Sequence, residues 1–584
     1  MALCLLLCPC AYAQHVTIEV RGVDEELRNN VLAYLSFSRY RKSAAELNAD
    51  TVERLHNRVE REVQAALRPF GYYEPQVQSD VSAQGKGDWR VTVDINPGKP
   101  ILIESISVRV EGPGESDPLF QRILTNLPLK AGDRLNHADY ESIKSDLQRT
   151  AATYGYFDAR LVKNELLVDP PNYRATIALE LDTGARYRFG TTTIEQSVVK
   201  DSLVRSYVRY HQGDPYDLTQ VLRTQFALDD SQYFSNLEVL PGTPDRNALT
   251  IPVTIHADPS RRHRYSFAAG YSTDTGIRGT LGFEDRHINQ YGHRFTAELQ
   301  ASQVQRYAVQ VRYIVPIGDP AVENFTAFAR IEQETLGDVD TSTQSLGPSI
   351  TKVTTHWQYV GLVTAMHTSG TDLNGTMSDS LLVPEVDIAR VPVGYLGEPL
   401  FERPLYVTIK GSTQALGAGA DFLQLHLQSE RVFPIVPKWH LLLRGEAGAT
   451  IVQNFDAMPT VLRFFAGGIN SVRGFAYNSL SPTQPVCATG TSGANCEPTA
   501  YIKVGGKDVI TGTVEVIRDL PKNLGIATFF DFGNAFNSLP AQLQYSAGIG
   551  LRVRLPVLTL GVDLAEPLSI SAGPRLQINF SPKL

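Results

Sequence analysis

The residue types that carry enzyme chemistry are present in this sequence, but they do not stand at catalytic spacings. Four histidines, His256, His263, His287 and His293, fall within one short stretch. None of them forms the H-E-x-x-H pattern, in which two imidazoles on one helix face bind zinc. The sequence also shows no nucleophile elbow, P-loop or dinucleotide-binding fingerprint. We therefore expect a protein that is not an enzyme and needs neither a metal nor a cofactor.

The cysteines are few and fall into two groups. Three of the five lie within the first ten residues, and the other two are Cys487 and Cys496. This second pair lies in a stretch rich in Gly, Ser, Thr and Pro. In an oxidising compartment the two would close a short loop as a disulfide. Two cysteines alone do not supply the four ligands of a structural zinc site.

The composition limits the class of protein. A chain of 584 residues is too long for one ordinary domain. It carries 54 Lys and Arg against 62 Asp and Glu, a net charge of −8. A nucleic-acid-binding protein would need a concentrated basic face, so this balance argues against nucleic acid as a partner. The 45 glycines, 25 tyrosines and 24 phenylalanines are typical of a β-rich protein with many turns and aromatic girdles.

The first 13 residues are typical of a signal peptide. The stretch Ala2 to Cys10 is apolar, and Ala11-Tyr12-Ala13 matches a small-residue cleavage site. A buried strand is the alternative interpretation, and a lipid anchor on Cys8 or Cys10 is disfavoured because the small residues expected before such a cysteine are absent. No later segment approaches the roughly 20 apolar residues of a membrane helix. An exported chain of this kind is either a soluble periplasmic protein or a membrane barrel.

A unit of one small domain is repeated three times in the first half. Each copy has a short apolar strand, two helices, a corner and two further strands. The corners are Gly71-Tyr72-Tyr73, Gly155-Tyr156-Phe157 and, as the weakest copy, Gln232-Tyr233-Phe234. After a signal peptide at 1–13, this predicts α+β domains at 14–97, 98–183 and 184–260.

The helix before each corner has one apolar face. Asn136 and Asp217 are plausible N-caps of the second and third of these helices. A helix pair on a small sheet leaves a sheet edge to which an extended client strand can add, and an inert spacer is the alternative. The predicted faces are Val52, Leu55, Val59, Val63 and Leu67; Tyr140, Ile143, Leu147 and Ala151; and Leu218, Val221, Leu222 and Phe226.

Residues 261–584 change to a period of two. A closed barrel in lipid needs apolar residues outside, polar residues inside, and every backbone group paired with a neighbouring strand. A soluble two-sheet sandwich shows similar alternation, but the number of such strands and the export signal favour a barrel of about 16 antiparallel strands. Examples are Val309, Val311, Tyr313 and Val315 around Gln310 and Arg312, and Leu551, Val553 and Leu555 around Arg552 and Arg554.

Three runs near the C-terminus resemble the motifs of a known family. They are FAGGINSVRGF at 465–475, FDFGNA at 530–535, and the stretch from Gly548 to Pro567. These runs resemble the BamA/TamA outer-membrane assembly superfamily, whose periplasmic POTRA domains the three repeats also resemble. The number of repeats, together with Val504 to Lys507 and Thr511 to Glu515, is closest to the TamA branch.

The resemblance implies roles for particular residues. The loop bearing Val472, Arg473, Gly474 and Phe475 would fold back into the barrel lumen. Arg473 would then be a buried cation that needs a partner, because an unpaired buried charge is costly. The resemblance points to Asp531 as that partner, within a barrel motif formed by Phe530, Asp531 and Gly533.

The resemblance further implies a function without enzymatic activity. A TamA-like factor would insert or translocate autotransporters and other β-barrel proteins by templating a client strand at a lateral gate. The gate would lie between the first and last barrel strands, at Ser266, Ala268, Gly270, Leu576, Ile578 and Phe580.

The same resemblance implies a place in the cell and a set of partners. The barrel would lie in the bacterial outer membrane with the repeats in the periplasm. The implied partners are a TamB-like inner-membrane protein, unfolded outer-membrane clients, and outer-membrane lipid and lipopolysaccharide. Two alternatives stay open: a two-partner secretion transporter, and a passive outer-membrane channel.

Overall fold

The structure is a computed structural model, and it describes residues 16–40, 47–85, 88–390, 405–487, 497–555 and 558–582. The predicted signal peptide at 1–13 lies outside the described residues. Two compact units divide the chain. The first comprises residues 1–193, 209–223 and 239–254, and the second comprises 194–208, 224–238 and 255–584. Among the described residues, no helix is both long and apolar enough to span a bilayer.

The first repeat is a three-stranded sheet covered by helices. Asp24 caps α1 by accepting the Leu27 N–H, and the apolar faces of the helices pack on the sheet. The face predicted from Val52 to Leu67 is buried, but it belongs to two helices rather than one because the chain turns at residues 57–58. The elements are β1 Val16–Arg21, α1 Glu25–Tyr34, α2 Ala49–His56, α3 Val59–Leu67, β2 Gln76–Gly85 and β3 Asp88–Asn96, with sheet order β1-β3-β2.

The second repeat has the same layout. The Asn136 side chain accepts the Ala138 N–H at the start of α5, as the sequence predicts, and the face from Tyr140 to Ala151 is buried against the sheet. The elements are β4 Leu102–Glu111, α4 Pro118–Thr125, α5 His137–Thr153, β5 Arg160–Asp169 and β6 Arg174–Asp182, with sheet order β4-β6-β5.

The third repeat departs from the predicted apolar face. Val221 is buried, but Leu222 is 45% exposed and Phe226 is 65% exposed. The buried positions of this helix are Val221, Thr224 and Leu228. The predicted face is therefore right at Val221 and wrong at Leu222 and Phe226. The elements are β7 Arg188–Glu195, α6 Asp201–Tyr207, α7 Leu218–Asp230, β8 Phe234–Pro241 and β9 Thr250–Pro259, with sheet order β7-β9-β8.

The three corners share one backbone conformation. Gly71 and Gly155 have φ values of 83° and 86°, and Gln232 stands at the equivalent point with φ 61°. Glycine adopts this left-handed region without a steric cost, whereas a residue with a side chain does so at a cost. The corner that looked weakest in sequence is therefore formed with the same geometry.

Sixteen antiparallel strands of the described residues close into a barrel, which confirms the predicted fold class of α+β repeats followed by a barrel. Two further strands, β21 and β22, form a separate hairpin in the connection between β20 and β23. The barrel strands are β10 His263–Ser272, β11 Gly276–Asp285, β12 Arg294–Ala301, β13 Gln305–Pro316, β14 Glu323–Leu336, β15 Val339–Val353, β16 Trp357–Asp372, β17 Gly375–Arg390, β18 Tyr406–Ser412, β19 Phe422–Val436, β20 Trp439–Val452, β23 Asp508–Leu520, β24 Leu524–Phe536, β25 Gln544–Arg554, β26 Leu558–Pro567 and β27 Arg575–Pro582; β21 is Thr483–Cys487 and β22 is Pro498–Lys503.

Within the second unit, residues on and beside α6 and α7 contact the connection between β11 and β12. The Tyr233 hydroxyl donates to the Gly292 carbonyl oxygen at 2.7 Å, and the Lys200 N–H donates to the Gln290 carbonyl oxygen at 2.8 Å. The Lys200 ammonium also lies over the Tyr291 ring, 4.1 Å from its centre. At the start of the barrel, Arg262 binds Asp285 through two guanidinium nitrogens.

Candidate functional site

The connection between β20 and β23 carries the candidate site into the barrel interior. Val472 and Phe475 are buried in a small apolar cluster with Val509 of β23 and Ala535 of β24. Gly474 has φ 98° and lies against the wall, where an added Cβ would stand 3.1 Å from the Ser546 Cβ. This packing points the intervening residue, Arg473, at the inner face of the last strands.

Arg473 is 2% exposed and is surrounded by carboxylates. Its Nε and Nη2 donate to the two carboxylate oxygens of Asp531 at 2.8 and 2.9 Å. Its Nη1 donates to Glu515 Oε2 at 2.7 Å and lies 3.6 Å from Asp563 Oδ2. Paired, hydrogen-bonded charges of this kind are the form in which a buried guanidinium is tolerated.

Arg552 joins the same network from the neighbouring strand. It donates to Glu515 Oε1 at 2.8 Å and to Asp563 Oδ1 at 2.6 Å. Two arginines are thus shared among three acids, which leaves the network with one negative charge in excess. Because β23, β24, β25 and β26 each supply a member, the network links four adjacent strands to the loop.

The aromatic ring of Phe529 packs against the Arg473 guanidinium. The Arg473 Cζ lies 3.4 Å from the centre of its ring, within cation–π range. The ring occupies space next to Gly548 on β25, where an added Cβ would collide with both the ring and the Leu564 carbonyl oxygen. At Gly550 an added Cβ would likewise collide with Asp563 Oδ1 and Arg552 Nη1, the two atoms of an ion pair.

The electrostatics favour the charged form of Arg473. Burial by itself would lower the pKa of the guanidinium, but the hydrogen bonds and charge of Asp531 and the charges of Glu515 and Asp563 outweigh that effect. The pKa of Arg473 is therefore raised above its usual range. The side chain is a permanent cation, so its role is to anchor the loop rather than to transfer protons.

The predicted barrel motif is divided between the two faces of β24. Asp531 faces inward and is fully buried, whereas Phe530 is 41% exposed on the outer face, its ring centre 6.1 Å from that of Tyr545. Gly533 lies against β23, where an added Cβ would stand 2.5 Å from the Ile510 carbonyl oxygen. Asp531 contacts the motif arginine, and Phe530 and Gly533 do not.

Several members of the network were not singled out from the sequence. The sequence predicted Asp531 as the partner of Arg473 and placed Arg552 and Arg554 on the lumenal face, but it did not assign Glu515, Asp563 or Phe529 to the contacts of Arg473. The alternation of β23 and β26 does put Glu515 and Asp563 on the inner face. Which inner residues meet Arg473 depends on strand register, and the sequence does not show that register.

The seam between the first and last strands is short. Within the part of the chain that the structure describes, β10 and β27 share two register pairs, Tyr271 with Phe580 and Ser272 with Asn579. One step further on, the Thr273 N–H donates to the Ile578 carbonyl oxygen at 3.0 Å, and the Ile578 N–H donates to Thr273 Oγ1 at 3.1 Å.

The predicted seam residues are spread unevenly along this junction. Ile578 and Phe580 lie in the paired part, and Gly270 lies next to it. Ser266 and Ala268 pair with β11 and lie outside the register shared with β27. Leu576 pairs with Leu564 on β26.

The predicted disulfide falls only partly on described residues. Cys487 ends β21 and is disulfide-bonded. Cys496 lies outside the described residues, so the pairing of these two cysteines stays a prediction.

Comparison with known proteins covers both halves of the chain. Residues 17–97 match the family model described as POTRA domain TamA domain 1, and residues 403–582 match the Omp85 superfamily domain. The outer membrane protein assembly factor BamA of Nitratidesulfovibrio vulgaris is 22% identical over 391 residues, which are 63% of this chain and 47% of that protein. BamA of Neisseria meningitidis serogroup B is 21% identical over 549 residues, 80% of this chain and 65% of that protein.

Both ends of the chain are therefore similar to the BamA/TamA, or Omp85, superfamily. The chain spans about half to two thirds of the length of these two BamA proteins. The crystal structure of BamA from Haemophilus ducreyi lacking POTRA domains 1–3 has the same fold, with a TM-score of 0.64 and 16% sequence identity. The similarity covers 82% of this chain and 99% of the solved one. The resemblance predicted from the sequence is confirmed, and an Omp85 barrel implies the outer membrane.

Proposed function

We propose that this chain is an outer-membrane protein assembly or secretion factor that templates client strands at the seam between β10 and β27. The observation that carries the proposal is the short seam, with two register pairs between strands eight or more residues long. Most of the β10 edge from His263 to Ala269 has β11 on one side and no register partner on β27 among the described residues. Such an edge offers backbone donors and acceptors to an incoming strand.

The physical problem that this edge solves is the transfer of a strand from water to lipid. An unpaired backbone group in the hydrocarbon layer costs several kcal/mol, so a client strand must be paired as it enters. Pairing with β10 satisfies the client backbone whatever the client sequence is, because the donors and acceptors belong to the main chain. The free energy comes from the folding of the client itself.

The Arg473 network fixes the four barrel strands next to β27, on one side of the seam. It ties the loop to β23, β24, β25 and β26 through charge-assisted hydrogen bonds. The seam between β27 and β10 has few hydrogen bonds: those of two register pairs, those between Thr273 and Ile578, and those that Arg278 donates to β27. Opening at the seam therefore breaks less than opening anywhere along the network.

Membership of the TamA branch is part of the proposal. It is supported by the match of the first repeat to a TamA POTRA model and by the three sheets that precede the barrel. On this proposal the repeats lie in the periplasm, clients include autotransporters, and a TamB-like inner-membrane protein contacts the repeats or the seam. Lipid and lipopolysaccharide surround the barrel, and the basic residues at 261–264 meet anionic headgroups.

The test locks the seam and asks whether insertion stops. Cysteines replacing Tyr271 and Phe580, which are register partners, are oxidised to a disulfide in proteoliposomes, and insertion of a denatured autotransporter barrel is measured with and without reductant. Insertion should fall when the seam is locked and return on reduction. The control pair, Ala268→Cys with Thr280→Cys, joins β10 to β11 and should leave insertion unchanged.

Two results would contradict the proposal. Full insertion through a locked seam would rule out strand templating at this edge. Steady, large conductance of the purified protein in planar bilayers would instead support a passive channel.

A further inference from the structure

The side chain of Arg278 crosses over the first barrel strand to reach the last one. Arg278 lies on β11 and is the register partner of Gly270 on β10. Its Nη2 donates to the Phe580 carbonyl oxygen at 3.4 Å and to Asn579 Oδ1 at 3.3 Å, both on β27. A guanidinium of the second strand thus binds the last strand directly.

Gly270 leaves the space through which Arg278 passes. A Cβ added at this position would stand 2.8 Å from Arg278 Nε and 2.9 Å from the Phe580 carbonyl oxygen. Both distances are shorter than van der Waals contact, and one of the two atoms belongs to the backbone of β27. The glycine is therefore needed for room at this point of the seam.

Other contacts gather at the same end of the seam. The bonds between Thr273 and Ile578 follow directly after the two register pairs. In the turn that follows β10, the Asp274 carboxylate accepts the Ile469 N–H from the loop that carries Arg473, at 2.5 Å. This end of β10 is thus held to β27 and to the lumenal loop. Among the described residues, the stretch from His263 to Ala269 has no register partner on β27.

We propose that Arg278, lying over Gly270, is a clasp that keeps β27 attached to β10 at the end where β10 finishes, so that the seam opens from the end where β10 begins. On β27 the clasp binds a carbonyl oxygen and an amide oxygen, both neutral acceptors. Both of its hydrogen bonds are long, which suits a contact that must release. This inference concerns the barrel alone and goes beyond the proposed function.

The experiment measures the two ends of the seam separately, without any client. Nitroxide labels at Ile277→Cys and Leu560→Cys report on the clasp end, because these residues are the register partners of Tyr271 and Phe580. Labels at Tyr265→Cys and Leu555→Cys report on the other end, toward the start of β10. Distances are measured by pulsed electron paramagnetic resonance on the full chain in lipid nanodiscs. The unsubstituted seam should give a narrow distribution at the clasp end and a broader one at the other end.

Two substitutions remove the clasp by different routes. Arg278→Gln shortens the side chain so that it no longer reaches β27, and Gly270→Ala puts a Cβ in the path of the guanidinium. Each should add a population of longer distances at the clasp end. Because either change adds little to the barrel strands beyond this contact, the folded barrel should still migrate as a heat-modifiable band.

Matched controls separate the clasp from general effects. Arg312→Gln removes another barrel arginine, one that bonds the adjacent strand through Thr296, and Gly279→Ala adds a Cβ whose nearest atom is 4.0 Å away. Both should leave the distances unchanged. If Arg278→Gln and Gly270→Ala give the unsubstituted distribution at the clasp end, or if the control substitutions give the same broadening, the clasp does not exist. Client insertion is not part of this readout, so its outcome is independent of the assembly proposal.

Discussion

Asp531 binds Arg473 through both its side chain and its backbone. The two carboxylate oxygens accept from the guanidinium, and Oδ2 also accepts the Arg473 backbone N–H at 3.1 Å. One acid therefore fixes the position of the loop and the direction of its side chain together. The second acid, Glu515, accepts a hydrogen bond from the guanidinium of Arg473 but none from its backbone.

Loss of Arg473 should strongly destabilise the barrel. Arg473→Gln leaves three buried carboxylates to share Arg552, and breaking a buried pair in this way costs about 3–5 kcal/mol. Arg473→Lys should be nearly as harmful, because an ammonium does not reproduce the two-pronged contact with Asp531. The measurement is the urea midpoint at which the heat-modifiable folded band is lost.

The control for this prediction is Arg554→Gln. Arg554 is also an inner-face arginine, bonded to Asp519 at 2.8 Å, but it is 42% exposed on its side chain. Its removal should cost about 0–1 kcal/mol, as for solvent-exposed ion pairs. Equal effects of the two substitutions would mean that burial of the Arg473 network does not matter.

Gly548 on β25 should resist substitution more than Gly561 on β26. In Gly548→Ala the new Cβ meets the Phe529 ring and the Leu564 backbone, and overpacking of this kind costs about 1–3 kcal/mol. At Gly561, the nearest atom to an added Cβ is Arg552 Nη1 at 3.7 Å, so Gly561→Ala should be tolerated. Urea midpoints of the two variants test this, and a tolerated Gly548→Ala would show that the Phe529 ring can move aside.

His137, in the second repeat, should hold its proton less tightly than a free imidazole. Burial lowers its pKa, and the nearby Glu141 charge partly opposes this. Histidine C2–H exchange followed by mass spectrometry on the full chain should therefore give a depressed pKa, and Glu141→Gln should depress it further. A pKa at or above the ordinary value would contradict the structure.

The same shift has a consequence for stability. Since the unfolded chain takes up this proton first, as the pH falls through about 6.5, the folded repeat loses stability below that pH. The Tyr73 hydroxyl, 2.9 Å from His137 Nε2, should become more exposed to solvent in the same range.

The disulfide prediction is tested by peptide mapping. A non-reducing digest should yield one peptide that joins Cys487 to Cys496, and reduction should separate it into two. Replacing both cysteines by serine should leave the urea midpoint of the barrel unchanged, because the bond would close only the hairpin of β21 and β22. A lowered midpoint would show that the hairpin supports the barrel wall.

The sequence was sufficient for the architecture because alternation and repeat length are local signals. The caps at Asn136 and Asp217 follow from such signals, and the structure shows both of them. The pairing of Asp531 with Arg473 was instead implied by the family resemblance, and the structure shows this contact. The exposed Leu222 and Phe226 were misplaced, because helical periodicity alone does not show which side of an amphipathic helix meets the sheet.

What the sequence did not show depends on register between distant strands. Asp563 meets Arg473 only because β26 pairs with β25 in one particular alignment. The seam is a second example. A cysteine pair chosen by strand position alone, 268 with 578, would be out of register, because Ile578 lies beside Thr273. Gly270 was predicted as a seam residue, and its register partner on β11, Arg278, explains why a glycine is needed there.

Every amino acid other than glycine carries a Cβ atom, so every missense change at codon 270 places an atom between the Arg278 guanidinium and the Phe580 carbonyl oxygen. The identity of the new side chain is then secondary. A saturation library at this codon should divide into glycine and all the rest, without the usual gradation by size or polarity.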